Sequence, residues 1–266
     1  MKRYVEQVMG MPVSLALRGR HTGDERAARA WTGVLDVLRT ADQVFSTYRE
    51  DSYISRLNRG ALAVADCPPE VAEVLALGER ARIESGGAFD VRRNARLDPS
   101  GVVKGWAVER AAQKLAELPA TDYCLGAGGD LTCHVAGRDS EPWQVGIEDP
   151  FDPDQLAAVV PIRNGAIATS GLHRRGQHIT DARTGATPIV LASVTVVHHS
   201  LTQADIDATA AFALGSEALT WLESRPGRAG LVIRADGTRQ LFGNRTRATT
   251  SPTIRRGMGR WATKWR

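Results

Sequence analysis

The sequence predicts an α+β fold, a single mixed domain over residues 1–243, and three observations lead there. Segments of helical and of strand periodicity follow one another without the regular alternation of a doubly wound sheet. No linker-like change of composition cuts the chain before Asn244. With 266 residues, 42% of them hydrophobic and 24% charged, the chain can bury a substantial core.

Each element follows from local pattern. Residues Tyr4 to Arg18 alternate and read as a first strand, interrupted at Met9-Gly10-Met11-Pro12, where the glycine permits a close backbone approach. From Asp24 to Val44, Ala27, Ala30, Trp31, Val34, Leu35, Val37, Leu38 and Ala41 fall at helical spacing after an acidic start. The hydroxyl-rich Phe45-Ser-Thr-Tyr48 stretch breaks that stripe, and a short helix follows to Asn58 with Asp51 or Ser52 as its cap. Another helix, Pro69 to Ser85, stops at Gly86-Gly87. Asp98 to Gly105 reads as a glycine-containing loop that opens a helix from Trp106 to Leu118. Such a helix start presents unpaired N–H groups that can hold phosphate, and Lys104 adds a point charge, although the P-loop spacing is absent.

Tyr123 to Val135 reads as strand, glycine turn and strand. Further strands are Trp143–Ile147, Leu156–Ile162, Gly165–Gly171 and Ser193–His198, the last strongly β-branched. A helix covers Gln203 to Gly215, a second runs to Glu223, and Gly230 to Phe242 forms a hairpin about Asp236-Gly237. Residues 244–266 change to Thr, Arg, Gly and Trp without a core pattern and read as a flexible basic tail.

Composition narrows the functional classes. The formal charge of +4 is modest and concentrated toward the end of the chain, so no nucleic-acid footprint is predicted. An anionic small molecule is the partner that charge suggests. Cys67, Cys124 and Cys133 are an odd number without a CxxC pair, as expected of free thiols in a reducing compartment. The first residues lack the apolar core of a signal peptide, and no run reaches a membrane span. The expectation is therefore a cytoplasmic protein whose membrane contact, if any, comes through a partner.

Two constellations carry chemistry. Gln177 to Gly185 packs an imidazole, a carboxylate, a guanidinium and a Thr-Gly turn into one short segment. Asp205 and Thr209 stand one helical turn apart, so both can reach a single hard cation, Mg²⁺ or Ca²⁺. Spacing alone leaves open the plainer reading, an aspartate serving the helix dipole beside a buried threonine. His198 and His199, adjacent on a strand, point to opposite faces and make a poor zinc chelate. A GxSxG elbow is absent, so a serine hydrolase has no support.

Taken in chain order, the motifs resemble one family. They are Met9-Gly10-Met11-Pro12; Phe45-Ser-Thr-Tyr48 with Ser55-Arg-Leu-Asn58; Ser85-Gly-Gly-Ala-Phe-Asp90; Asp98 with Val103-Lys-Gly-Trp-Ala107; Gly128-Gly-Asp130; Ala168-Thr-Ser-Gly171; His178-Ile-Thr-Asp181 with Thr184-Gly185; and Ala204-Asp205 with Thr209. Together they are similar to the FAD:protein FMN transferases, the ApbE-type proteins. The resemblance implies an enzyme that cleaves FAD, attaches FMN through a phosphoester to a threonine or serine of an acceptor protein, and releases AMP. It further implies Mg²⁺ held by Asp205, Thr209 and the Gly101 carbonyl. FAD contacts would come from Met9, Tyr48, Ala88, Phe89, Asp90, Asp98, Lys104 and Ile179, with His178 activating the acceptor hydroxyl. Water as acceptor would make the same site an FAD pyrophosphatase, and a degenerate member would only bind flavin.

The chain departs from the pattern in four places. Ala182 stands where proline is usual, Met11 replaces the commoner threonine, the connection from Gly171 to His178 is short, and the lipoprotein signal of many members is missing.

Overall fold

The computed structural model describes residues 1–93, 96–171 and 179–243. Among the described residues twelve strands and six α-helices alternate irregularly. They are β1 (Lys2–Val8), β2 (Met11–Gly19), α1 (Glu25–Phe45), α2 (Tyr53–Asn58), α3 (Pro69–Glu84), β3 (Arg92–Arg93), β4 (Arg96–Leu97), α4 (Ser100–Ala112), β5 (Thr121–Ala127) and β6 (Asp130–His134). There follow β7 (Trp143–Asp149), β8 (Asp152–Ile162), β9 (Gly165–Gly171), β10 (Leu191–His198), α5 (Leu201–Leu214), α6 (Ala218–Glu223), β11 (Ala229–Arg234) and β12 (Arg239–Phe242).

Eight strands form one sheet in the order β1-β2-β5-β6-β9-β10-β11-β12, every neighbouring pair antiparallel. This is the α+β class the sequence predicts. Helices cover one face, where α1, α3, α4 and α5 share a core with Val13, Leu15, Leu125, Val194 and Val196. The antiparallel ribbon β7–β8 covers the other, setting Val145, Ile147 and Ile162 against Cys133, Ile167, Leu231 and Ile233. Among the described residues no helix is long and apolar enough to cross a membrane.

Local chemistry sets the boundaries. Asp24 caps α1 by accepting from the Ala27 N–H, and Ser52, rather than Asp51, caps α2 through Ser55. The predicted single interrupted strand is a hairpin. Met9 and Gly10 both have positive φ, 55° and 69°, as a two-residue turn of this twist requires, and a Cβ on Gly10 would meet open space. The glycine thus serves the turn and not a close approach.

The larger correction concerns residues 98–105. Helix α4 begins at Ser100, so Gly101, Lys104 and Gly105 lie inside it and not in a preceding loop. Glycine disfavours a helix interior by about 1 kcal/mol relative to alanine, and the packing explains its presence. A Cβ on Gly105 would lie 2.8 Å from the Asp205 Cβ and from the Leu201 carbonyl oxygen, and one on Gly101 would lie 2.9 Å from a Phe89 ring carbon. Because they are four apart on α4, the two glycines face Asp205 and Thr209, also four apart, on α5. Helix α5 can run this deep because it is apolar on nearly every side, with Leu201, Ile206, Ala208, Ala210, Ala211 and Phe212 almost fully buried.

Gly105→Ala is expected to lower the unfolding free energy by about 1–3 kcal/mol through overpacking, measured by urea denaturation. A gain in stability, as helix propensity alone would give, would show that α4 and α5 can part at no cost.

Candidate functional site

The antiparallel order brings several turns to one end of the sheet. The β1–β2 turn at Met9-Gly10 and the β5–β6 turn at Gly128-Gly129 lie there, because Val13 pairs with Ala127 and the Gly128 N–H donates to the Pro12 carbonyl at 3.3 Å. The C-terminal end of β9 arrives at the same end, where the Thr169 N–H donates to Asp130 Oδ1 at 3.0 Å.

Beneath these turns lies a buried charge cluster. Lys104 Nζ sits 2.5 Å from Asp130 Oδ2 and 3.1 Å from Asp205 Oδ1, and both carboxylate side chains are only 2% exposed. Asp205 Oδ2 also accepts from the Gly105 N–H at 2.9 Å, so the glycine that lets the helices approach supplies a donor at the point of contact. Burial opposes the charge on Lys104, but Asp130 and Asp205 outweigh it and hold the ammonium above its ordinary range. Burial, and then the neighbouring Asp130, raise Asp205 against the pull of Lys104. A further cation beside Asp205 would draw its carboxyl back to the charged form.

One turn further along α5, Thr209 Oγ1 lies 3.1 Å from Ser170 Oγ. The Thr209 methyl lies 3.6 Å from where a Gly101 Cβ would stand. Phe89, 6% exposed, packs against Gly101 and so floors the cluster from the α3–β3 connection.

The remaining predicted residues differ in their placement. Ala88 is fully buried, and its carbonyl accepts from the Ala182 N–H at 3.0 Å, tying the 181–186 turn to the same region. Asp181 closes that turn: its carbonyl accepts from Thr184 and Gly185, and its carboxylate takes the Arg183 guanidinium at 2.7 Å. Arg183 also reaches Glu217 at 3.1 Å, and Ile179, 9% exposed, leads into the turn.

Asp90 and Asp98 are committed locally. Asp90 Oδ1 accepts from Arg92 and Asp98 Oδ1 from Ser100. The Val102 and Val103 N–H groups of the first turn of α4 donate to the Pro99 carbonyl. The expected phosphate cradle at this helix start is thus largely satisfied from within, and Lys104 points from the next turn to the carboxylates. Tyr48, 97% exposed, stands apart in the loop after α1, and Met9 is half-buried at its turn. His178 lies outside the described residues.

Asp130 and Ser170 are the site residues that sequence reasoning left without a role. Both stand in motifs of the resemblance, Gly128-Gly-Asp130 and Ala168-Thr-Ser-Gly171, which is the one signal that could have found them. A second buried carboxylate on α5, Asp207, belongs elsewhere. Arg228, Arg225 and Gln203 satisfy it at 2.8, 3.2 and 2.8 Å.

The sequence profile of the ApbE family matches residues 9–94 and 91–233. The chain belongs to the ApbE family. Its curated relatives include the FAD:protein FMN transferases of Haemophilus influenzae, 34% identical over 153 residues, and of Escherichia coli K12, 32% identical over 152. Each alignment covers 53% of this chain but only 44% and 43% of the relative, so the chain spans less than half the length of the relatives it matches.

Among solved structures, the fold is similar to that of the apo flavinyl transferase ApbE from Pseudomonas stutzeri. Its TM-score is 0.76 at 22% identity, over 91% of this chain and 95% of that one. It is likewise similar to the ApbE protein of Thermotoga maritima, at a TM-score of 0.80 and 20% identity, over 90% and 96% of the two chains. At these identities the likeness is one of fold.

Two measurements test the buried cluster and the turn beside it. Lys104→Met leaves two buried carboxylates unpaired and is expected to cost about 3–5 kcal/mol of unfolding free energy, with Asp130→Asn recovering part of it in a double-mutant cycle. A loss no larger than an exposed pair gives, about 1 kcal/mol or less, would show that water reaches the cluster.

The second concerns acid stability. The Arg183 guanidinium, foremost by hydrogen bonding, holds the Asp181 carboxyl below the usual carboxylate range. A carboxyl with a lowered folded-state pKa contributes stability that is complete above its unfolded pKa and disappears as the pH falls through the folded one. Asp181→Asn should therefore destabilise at neutral pH and flatten the acid limb of the stability curve. Parallel wild-type and variant curves through the acid range would contradict this.

Proposed function

We propose that this protein transfers FMN from FAD to a serine or threonine hydroxyl of an acceptor protein, forming a phosphoester and releasing AMP, in a Mg²⁺-dependent reaction. The supporting observation is the oxygen-only cluster of buried Asp205 and Ser170 with half-buried Thr209 beside Lys104, in a chain of the family whose curated relatives carry the name FAD:protein FMN transferase.

The donor set fits a hard cation. Among the described residues no group of three or more His, Cys, Asp or Glu side chains converges, which disfavours a zinc-type cage. A carboxylate, a hydroxyl and a carbonyl, completed by water, is what Mg²⁺ accepts. In this reading Asp205, Thr209 and the Gly101 carbonyl hold the metal. When bound, Mg²⁺ neutralises charge on the pyrophosphate oxygens.

The chain's own residues supply the rest. Lys104 adds fixed positive charge whose position Asp130 and Asp205 determine. Phe89 presents an apolar floor that excludes water from one side of the cluster. In this reading FAD is met by Met9, the Ala88-Phe89-Asp90 segment, Asp98 and Ile179, with Tyr48, exposed in the loop after α1, as an outlying contact. His178 takes the acceptor hydroxyl proton, a role that imidazole fills as a general base.

The test is to incubate the protein with FAD, with and without Mg²⁺ and a hydroxyl-bearing acceptor protein, following AMP and the acceptor's mass. The expected result is a gain of one FMN that requires Mg²⁺. Asp205→Ala is expected to remove the Mg²⁺ dependence with the activity, and His178→Ala to slow transfer about 10²-fold or more. AMP released equally well without acceptor would identify a pyrophosphatase, and flavin binding without AMP would identify a non-catalytic protein.

A further inference from the structure

On the opposite face of the sheet from the charge cluster, Cys124 of β5 stands directly across from Cys133 of β6 in the ladder register. Their Sγ atoms are 3.4 Å apart, with the Cys133 thiol donating to the Cys124 sulfur. The hairpin fixes this pairing. Its two-residue Gly128-Gly129 turn has positive φ at both positions, 59° and 102°, and is closed by the pair Ala127/Asp130. A two-residue turn makes its closing pair hydrogen-bonded, and pairs alternate from there. Gly126/Leu131 and Cys124/Cys133 are then non-hydrogen-bonded pairs, in which side chains lie closest.

The surroundings distinguish the two thiols. Cys133 is 3% exposed in the apolar layer beneath the β7–β8 ribbon, whereas Cys124 is only half-buried. The third cysteine, Cys67, is separate, its thiol donating to the Ala63 carbonyl just before α3.

We infer that Cys124 and Cys133 form a reversible cross-strand disulfide, a modification site that takes a small disulfide oxidant of the glutathione type. Cys124, the accessible sulfur, attacks as thiolate on one sulfur of the oxidant RSSR. A protein–S–S–R bond forms and RS⁻ leaves, taking up a proton. Cys133 then gives up its proton and displaces the second RS⁻, closing the Cys124–Cys133 bond. The two protein thiols are oxidised, and RSSR is reduced to two RSH. The Cys133 thiol is held up first by its hydrogen bond to Cys124 and then by burial, which makes it the resolving and not the attacking group. A non-hydrogen-bonded pair, its Cα atoms about 4.5 Å apart, falls within the span a disulfide bridges, and the half-buried Cys124 sulfur leaves the bond open to a thiol reductant. It would close a covalent ring around the turn that carries Asp130, and so tie the thiol face of the sheet to the cluster face.

The experiment treats the folded, reduced full chain with oxidised glutathione, counts free thiols after denaturation, and maps the linkage by peptide mass. From three cysteines, the expected result is one remaining free thiol, Cys67, a peptide bridging Cys124 to Cys133, no retained glutathione, and full reversal by dithiothreitol. Cys133→Ser should arrest as a glutathione adduct on Cys124, and Cys124→Ser should lose no thiol. An unchanged wild-type thiol count, a persistent adduct on wild-type Cys124, or a bridge that includes Cys67 would each overturn the inference. The wild-type peptide map decides the matter even if a variant folds poorly.

Discussion

The structure depends on the close crossing of α4 over α5. Gly101 and Gly105 remove the side chains that would hold the helices apart, and Asp205 and Thr209 occupy the face thereby exposed. Burying Asp205 between two helices is costly unless its charge is answered, and Lys104, one residue before Gly105, answers it together with Asp130 from the sheet. The contact therefore joins three elements: α4 supplies the glycines and the ammonium, α5 the carboxylate and hydroxyl, and β6 the second carboxylate. A change at any of these positions alters helix spacing and local charge together, so stability and chemistry are not separable here.

Around that contact the antiparallel order explains why distant motifs belong to one site. Each hairpin returns its turn to the same end of the sheet, so Met9-Gly10, Gly128-Gly129 and the end of β9 converge although they lie far apart in sequence. The 181–186 turn and the Ala88-Phe89 segment close in from the side, joined by a backbone hydrogen bond and not by side-chain chemistry. Membership of the ApbE family accounts for this arrangement as a whole, and the local donors and acceptors account for its parts.

Much of the fold was legible because helices announce themselves through caps and stripes. Asp24, Ser52 and the apolar positions of α1 marked their elements within about two residues, the ordinary uncertainty of helix ends. The failures share a cause in glycine and turn geometry. Gly101 and Gly105 read as loop because their purpose is an approach by α5, a partner distant in sequence. Met9 hid a hairpin because a methionine at positive φ is an unusual turn residue. In the site, Asp205 and Thr209 were visible through helical spacing, and Asp130 was not given a role because its reason for burial is an ammonium on another element. Asp181 and Arg183, part of the polar segment 177–185, hold a turn through their own ion pair.

Among the described residues the sheet does not close into a barrel, and its two outer strands, β1 and β12, have a bearing on how the molecule behaves in a crowd. An open strand edge is a template on which another chain can add by backbone hydrogen bonding. Strand β1 carries Lys2, Arg3 and Glu6 as exposed charges, and β12 is only four residues long, with Arg239 exposed at its start. Charge on one edge and brevity on the other make a second sheet a poor fit at either side. The two edges of the eight-stranded sheet thus offer a second chain little to pair with, through surface residues that take no part in the core.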